Sequence, residues 1–556
     1  MSELQRKWWK EAVIYQIYPR SFKDSNGDGV GDLRGIIEKL DYIKSLGIDV
    51  VWLNPIFASP NDDNGYDVSD YCSIMDEFGT MTDFDELLAG MHDRGIKLVL
   101  DLVANHSSDE HFWFQESRKS RDNPYRDYYH WWPAESGTPP TRWSFFDVNA
   151  DAWKYDEQTD AYYLHIFSQK QPDLNWENPK LRQEIYDAVR FWFDKGVDGF
   201  RMDVITFISK DVPFKELPAK YDGNFVQYYA EGPRLHEYLQ EFNREVLSKY
   251  DIMTVAEGPG TMTENVLDFV DADRHELNMS YHFDISNLGH KDLAKKLMDP
   301  KGWSFREFKE IFRKWDEAFA DKGWGTVYLG NHDFPRMVSR WGNDTPEFRK
   351  VSSKMLTTFL LTMRGTPYYY FGDELGMTNI RFDRIEDYRD IMTINLHRLI
   401  ETEGGDLNEF MESQKLIARD NGRTPFQWDA SPNAGFTTGT PWLKINSNYK
   451  KINAAEQEGD EDSVLNYFRR MIRFRKANPA LIYGSAEYLD WGNESVFAYA
   501  RELDDAKIVV LVNFTDKDAD TNAVPDASRS EYLLGNYPEF SGRLKPYQAA
   551  IFSAEK

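Results

Sequence analysis

The run GVDGFRMDV carries Arg201 and Asp203 at the end of an otherwise apolar segment, where charged groups call for a reason. The pattern recurs. GIKLVLDLVANH turns polar at Asp101, Asn105 and His106, IMTVAEG at Glu257, and GTVYLGNHD at Asn331, His332 and Asp333. For any one of these acids a structural ion pair is the simpler explanation; four segment ends together are the equipment of acid–base and nucleophilic chemistry. Residues two apart in a strand share a face, so Arg201 and Asp203 point the same way. The guanidinium is then expected to hold Asp203 ionised by charge and hydrogen bonding.

Such residues need a scaffold that gathers strand ends. AVIYQIYP, IDVVWLNP, GIKLVLDLVANH, GVDGFRMDV, IMTVAEG, ELNMSYHFD, GTVYLGNHD and GTPYYYFGDELG read as eight strands. The pieces between them, such as LRGIIEKLDYIKSLG and FDELLAGMHDRG, space apolar residues by three and four and end at Gly, as helices do. Strand then helix, repeated eight times, predicts an α/β fold closed as a (β/α)8 TIM barrel, whose active site lies at the carboxyl ends of the strands. Residues 1–104 and 174–479 form this barrel. Residues 105–173, rich in Trp, Tyr and Pro with weak periodicity, are a small domain inserted after strand 3. A second, partly helical insertion spans about 378–460 after strand 8. From 480 to 556 the chain alternates and turns, which predicts a C-terminal antiparallel β domain of sandwich type.

Acidic residues number 93 and basic ones 66, leaving a net charge of −27 that disfavours nucleic acid and anionic membranes as partners. A small neutral or cationic ligand fits better. The aromatic content, 15%, offers flat faces to the C–H faces of sugars. Cys72 is the only cysteine, so neither an internal disulfide nor a Cys-based zinc site is available, which favours a reducing compartment. The first residues interleave charges with aromatics and show no signal-peptide core, and no apolar run reaches membrane-spanning length, so a cytoplasmic protein is expected. A monomer or homodimer is expected.

DLVANH, GFRMDV, VAEG and GNHD, in this order, resemble the four signature regions of glycoside hydrolase family 13, the α-amylase family. The likeness spans nearly the whole chain, because NDDNGYDVSDY, QPDLNWENP and ARDNGRTPFQW resemble the oligo-1,6-glucosidase and α-glucosidase branch. The resemblance implies retaining hydrolysis through a covalent glycosyl-enzyme, with Asp203 as nucleophile, Glu257 as acid/base and Asp333 as the acid that binds sugar hydroxyls and favours the oxocarbenium-like transition state. Asp63 and Arg423 would clamp the non-reducing end, Tyr66 would stack under that glucose, and His106 and His332 would donate to the same ring, though a core histidine satisfied by backbone is the bland alternative for each. Arg201, Phe167 and Gln171 complete the expected substrate-binding set. Closing residues of this kind imply an exo-acting enzyme.

Val204 matches the residue that similar α-1,6-glucosidases carry after the nucleophile, which favours isomalto-oligosaccharides; maltose and sucrose remain alternatives. Phe334 stands where the family's motif has a glutamine, and Gly330 where a bulkier residue is common. RFDRI, Arg381 to Ile385, resembles the loop of the family's sucrose isomerases only in part, and Pro259 replaces the aromatic those enzymes tend to carry, so hydrolysis is expected, with transglycosylation as a side reaction. A non-catalytic transporter-associated heavy chain resembles the same barrel, but usually lacks the carboxylates. DSNGDGVGDL presents Asp24, Asn26, Asp28, the Val30 carbonyl and Asp32 at alternate positions, like the start of an EF-hand loop, although its twelfth position is Gly35 and no helix precedes it. Related α-glucosidases bind Ca2+ there, sometimes Mg2+. A structural Ca2+ and no organic cofactor are expected.

Overall fold

The computed structural model describes residues 6–147, 151–221, 224–320, 322–526 and 528–555. Each of the eight predicted runs contains a strand of one sheet: β1 Ile14–Ile17, β2 Val50–Leu53, β3 Lys97–Val103, β4 Gly199–Asp203, β5 Met253–Ala256, β6 Met279–Ser280, β7 Thr326–Val327 and β8 Thr366–Tyr370. Their order is β6-β5-β4-β3-β2-β1-β8-β7, and every pairing is parallel. A single parallel bridge, Ser280 to Gly325, joins β6 to the residue ahead of β7 and closes the ring. Strands buried on both faces read as continuous apolar runs, which is why all eight were legible.

The outer helices begin and end on local signals. Thr80 and Asp83 form a capping box ahead of Met81–His92, and Asn178 with Pro179 starts Pro179–Lys195, which stops at Gly196 in the left-handed conformation. One expectation is corrected: LRGIIEKLDYIKSLG is two helices, Leu33–Glu38 and Leu40–Leu46, broken at Lys39, whose ammonium lies 4.3 Å from the Trp428 ring centre.

The segment after β3 carries a three-stranded antiparallel sheet, with Ala161–Leu164 between Trp131–Pro133 and Trp153–Asp156. The bridge His106 to Asp173 draws its two ends together beside the mouth. After β8 the chain forms a helical pair, Ile391–Thr402 and Leu407–Ile417, and the short helix Asp420–Arg423.

The C-terminal part differs from the expected sandwich. Among the described residues it has one five-stranded antiparallel sheet, with two apolar faces set by the period of two. Phe497, Tyr499, Val510 and Ile551 join the barrel's core, whereas Val496, Ala498, Leu511 and Ala550 belong to a second cluster with Ala519 and Leu544, against which Ala523, Val524 and Phe540 pack. Ala519 and Leu544 are joined by an isolated bridge rather than by paired strands.

Candidate active site

Register sets the centre of the site. Asp101 on β3 and Val255 on β5 flank Arg201 on β4, which places the guanidinium among the strand ends. Arg201 Nη1 donates to Asp101 Oδ1 at 2.7 Å and to Asp203 Oδ1 at 2.6 Å, and Nη2 pairs with Glu257 Oε1 at 2.6 Å. One guanidinium therefore holds both expected catalytic carboxylates. Val204 makes the turn out of β4 at φ 34°, a left-handed position costly for a β-branched residue, and its N–H donates to Glu257 Oε2 at 3.0 Å. Its side chain packs with Phe207 and Tyr229 under the inserted domain.

The expected electrostatics of Asp203 need correction. Burial pushes its carboxyl well up, Arg201 pulls it down, and Glu257 and Asp101 push it up again, so the net direction is upward. Asp101 is likewise raised, to about 6, by burial against the pull of Arg201. At Asp203 and Asp101, burial and the neighbouring acids thus outweigh the pull of the one guanidinium they share.

Asp333 is the open member of the set, its side chain 27% exposed against 9% for Asp203 and 11% for Glu257. Burial opposes its ionisation, but His332, Arg419 and Arg423 hold it well below the usual carboxylate range. Arg419 Nη1 and Arg423 Nη2 each donate to Asp333 Oδ1 at 3.1 Å. His332 is placed by its neighbours: Nδ1 faces the Gln16 amide at 2.9 Å, while Nε2 lies 2.7 Å from the Tyr66 hydroxyl and 3.1 Å from Asp333 Oδ2. Burial keeps it neutral, so Nε2 carries the hydrogen. Tyr66 stacks on His332 at 5.5 Å and donates its hydroxyl to Asp101 Oδ2 at 3.1 Å.

The two expected clamp residues have further partners. Asp63 and Arg423 both reach the mouth, but Asp63 Oδ1 lies 3.8 Å from Arg419, and its ion pair is with that residue. Asp63 Oδ2 accepts from Gln171 Nε2 at 3.2 Å, while Asp63 Oδ1 and Arg423 Nη1, both buried, lack a hydrogen-bond partner within the protein. Arg419 is the residue that the motif-by-motif carry-over missed, together with Asp390, which accepts from its Nε at 2.9 Å. A signal was present: Arg419 and Arg423 stand four apart in ARDNGR and share a helix face. Gly422 between them admits no side chain, since a β-carbon there would lie 2.4 Å from the Phe334 carbonyl oxygen.

Burial pushes the Asp63 carboxyl up to about 7, with Arg419 and Arg423 pulling it down. Its folded value thus exceeds its unfolded value of about 4. The associated stability is present in full below pH 4 and is lost as pH rises through 7. Asp63→Asn is therefore expected to raise the Tm at pH 8, by the equivalent of on the order of 2 kcal/mol, and by less at pH 5, while it slows turnover. Thermal melts of both proteins at the two pH values check this; a variant less stable at pH 8 contradicts it.

The remaining expected residues divide. His106 Nε2 lies 3.1 Å from the Tyr66 carbonyl oxygen and 3.3 Å from Gln171 Nε2. Phe167 packs on His106 and Phe145, and Gln171 also reaches the Tyr66 carbonyl. Asn105 serves structure, accepting from buried Lys210, which pairs with Asp173 at 2.7 Å. Phe334 stacks on Tyr328 at 6.1 Å. A side chain at Gly330 would crowd Asp373 Oδ2, 3.3 Å from a β-carbon there. In RFDRI, Arg381 pairs with Asp344 at 2.6 Å, and Phe382 is buried in a cluster with Tyr388 and Leu443. Pro259 gives its carbonyl to Thr206.

In DSNGDGVGDL, Asp24 Oδ1 accepts from the Asn26 and Gly27 N–H groups, Asn26 from Asp28 N–H and Asp28 from Val30 N–H. Asp32 has other work: Oδ1 caps the helix at Gly35 N–H, and Oδ2 accepts from Ser25. Among the described residues no group of three or more His, Cys, Asp or Glu is placed to hold a metal, so any ion here would rely on the amide and carbonyl donors as well.

A family model for the α-amylase catalytic domain matches residues 16–484. The chain belongs to the α-amylase family. Among its family relatives, the oligo-1,6-glucosidase of Parageobacillus thermoglucosidasius is 52% identical, covering 99% of each chain, and that of Bacillus cereus is 50% identical, covering 99% of this chain and all of the other. The α-amylase-family fold is equally close in a solved isomaltulose synthase from Klebsiella sp. LX3, with a TM-score of 0.95, 45% identity, and coverage of 99% of this chain and 100% of that one. No helix among the described residues is long and apolar enough to cross a membrane.

Proposed function

We propose that the protein is an exo-acting, retaining α-glucosidase that releases glucose from the non-reducing end of short α-1,6-linked glucosides. The observation that carries this is Arg201 holding Asp203 and Glu257 beside Asp333, at a mouth walled by Asp63, Arg419 and Arg423. Asp203 attacks the anomeric carbon while Glu257 protonates the leaving oxygen; water, activated by Glu257, then releases glucose. Asp333, fully ionised, accepts from sugar hydroxyls and opposes the positive charge that develops at the ring. Asp63 Oδ1 and Arg423 Nη1, which have no hydrogen-bond partner within the protein, bind the terminal glucose, one accepting and one donating. A sugar hydroxyl in place of water gives transglycosylation.

Support for the linkage comes from the relatives called oligo-1,6-glucosidase. The likeness to an isomaltulose synthase favours sucrose isomerisation as the second reading. Incubation with isomaltose, maltose and sucrose in parallel separates them: glucose is expected fastest from isomaltose, and an isomerised disaccharide from sucrose would overturn the assignment.

The Asp24–Asp32 loop is proposed to hold a structural Ca2+. Its donors are hard oxygens at alternate positions, each amide-bonded oxygen keeping a further lone pair, and Gly29 at φ 97° lies so close to the Thr440 carbonyl that no side chain fits. Chelation is expected to lower the Tm by several degrees and added Ca2+ to restore it; an unchanged melt after exhaustive chelation contradicts the proposal. We take the protein to act in the cytoplasm, as a monomer or homodimer.

A further inference from the structure

Behind His106 lies a buried junction of Lys210, Asn105 and Asp173. The Lys210 ammonium, its side chain 7% exposed, pairs with Asp173 Oδ1 at 2.7 Å and donates to Asn105 Oδ1 at 2.5 Å and to the Phe207 carbonyl at 2.7 Å. Three acceptors match the three hydrogens of the ammonium. They come from three places: just past β3, the end of the inserted domain, and the turn that follows the nucleophile strand β4. An ammonium cannot accept, so the Asn105 amide must present its oxygen to Lys210 and its nitrogen to the other side. There Nδ2 donates to Asp173 Oδ1 at 2.9 Å and faces His106 Nδ1 at 3.1 Å.

His106 is buried, and burial followed by the Lys210 charge brings its imidazole down to about 3, so the ring is neutral and carries one hydrogen. The inner side decides where that hydrogen sits. With an amide N–H directed at it, Nδ1 accepts, and the hydrogen is on Nε2. Nε2 faces the Tyr66 carbonyl at 3.1 Å and lies 3.3 Å from Gln171 Nε2, which itself donates to Asp63 Oδ2 at 3.2 Å. The opposite tautomer would set N–H against N–H at Asn105 and lone pair against lone pair at Tyr66, two unsatisfied contacts in a buried place. A sugar hydroxyl both donates and accepts, so a bound glucose does not by itself choose the tautomer. We propose that Asn105, oriented by Lys210, is a positioning residue for the reaction: it locks His106 with the hydrogen on Nε2, as a fixed donor to the terminal glucose on the side of the mouth that carries Asp63. The inference rests on the α-glucosidase assignment. A junction that only tied the inserted domain to the barrel would need Lys210 and Asp173 but no particular hydrogen on His106.

Nuclear magnetic resonance of the protein labelled with heavy nitrogen in histidine reads the tautomer directly. The His106 ring signals, identified by their loss in His106→Asn, are expected to show the hydrogen on Nε2 in the natural protein. Asn105→Asp keeps the size of the side chain and its bond to Lys210, but it turns the donor that faces Nδ1 into an oxygen. It is expected to move the hydrogen to Nδ1 and to lower kcat/KM for isomaltose by about tenfold, the worth of one hydrogen bond to the sugar. Placed on top of His106→Asn, the same change is expected to cost about twofold or less, because its effect passes through the ring. A natural protein with the hydrogen on Nδ1 overturns the inference without recourse to Asn105→Asp. Losses that multiply in the double variant overturn it as well and leave Asn105 a structural role alone, as does an Asn105→Asp enzyme within about twofold of the natural kcat/KM. In each of these cases, cleavage of isomaltose by the natural protein leaves the α-glucosidase assignment standing. Failure to cleave isomaltose, maltose or sucrose at all overturns both.

Discussion

Asp203→Asn is expected to reduce turnover of isomaltose by about 10^4-fold or more while the protein stays folded. The amide keeps the shape of the carboxylate but cannot form a glycosyl ester. The fold should tolerate it, because Arg201 retains Asp101 and Glu257 as partners and the buried cluster loses one of its three acids. Relief of that crowding, which burial and the neighbouring acids impose on Asp203, should leave the Tm unchanged or higher. Initial rates together with thermal melts check both halves. Turnover within tenfold of the natural enzyme would remove Asp203 from the chemistry, and a collapsed Tm would give it a structural role.

Glu257→Gln should separate substrates by leaving group. Isomaltose expels an alkoxide that needs a proton, so its cleavage is expected to fall by about 10^3-fold, within the range of general acid catalysis. α-Glucosyl fluoride needs no proton at the leaving atom, so the first step with it should survive. The second step should then stall, because glutamine cannot activate water, and added azide should restore turnover by attacking the intermediate directly. The geometry permits the change: Glu257 holds Arg201 with one oxygen and the Val204 N–H with the other, and the amide oxygen can keep one of these contacts. Equal losses on isomaltose and the fluoride would contradict an acid role.

What could be seen in the chain follows from how local the cause is. β4 announced its chemistry because Arg201 and Asp203 interrupt an apolar run at a strand's end, and the same holds for Glu257 and Asp333. The eight strands were legible because both faces are buried. Arg419 was not singled out, although its motif was, because its role depends on Asp63 and Asp390 arriving from two other segments. The upward shift of Asp203 was missed for a related reason: a guanidinium beside one carboxylate lowers it, but here the same guanidinium is divided among three buried acids, a count visible only in three dimensions. The break at Lys39 escaped because the apolar spacing runs through it unchanged. The oxygens of Asp32 were assigned to a metal by their spacing, while their contacts are those of a helix cap, which the Asp before LRGIIE could also have suggested.

The central claim is a covalent glucosyl ester on Asp203, and it can be caught. The Glu257→Gln protein is mixed with α-glucosyl fluoride, quenched, digested and analysed by mass spectrometry. A gain of one glucosyl unit on the peptide that contains Asp203, lost on brief treatment with azide before quenching, is the predicted result. No labelled peptide while fluoride is released, or a label on any other residue, would contradict the account.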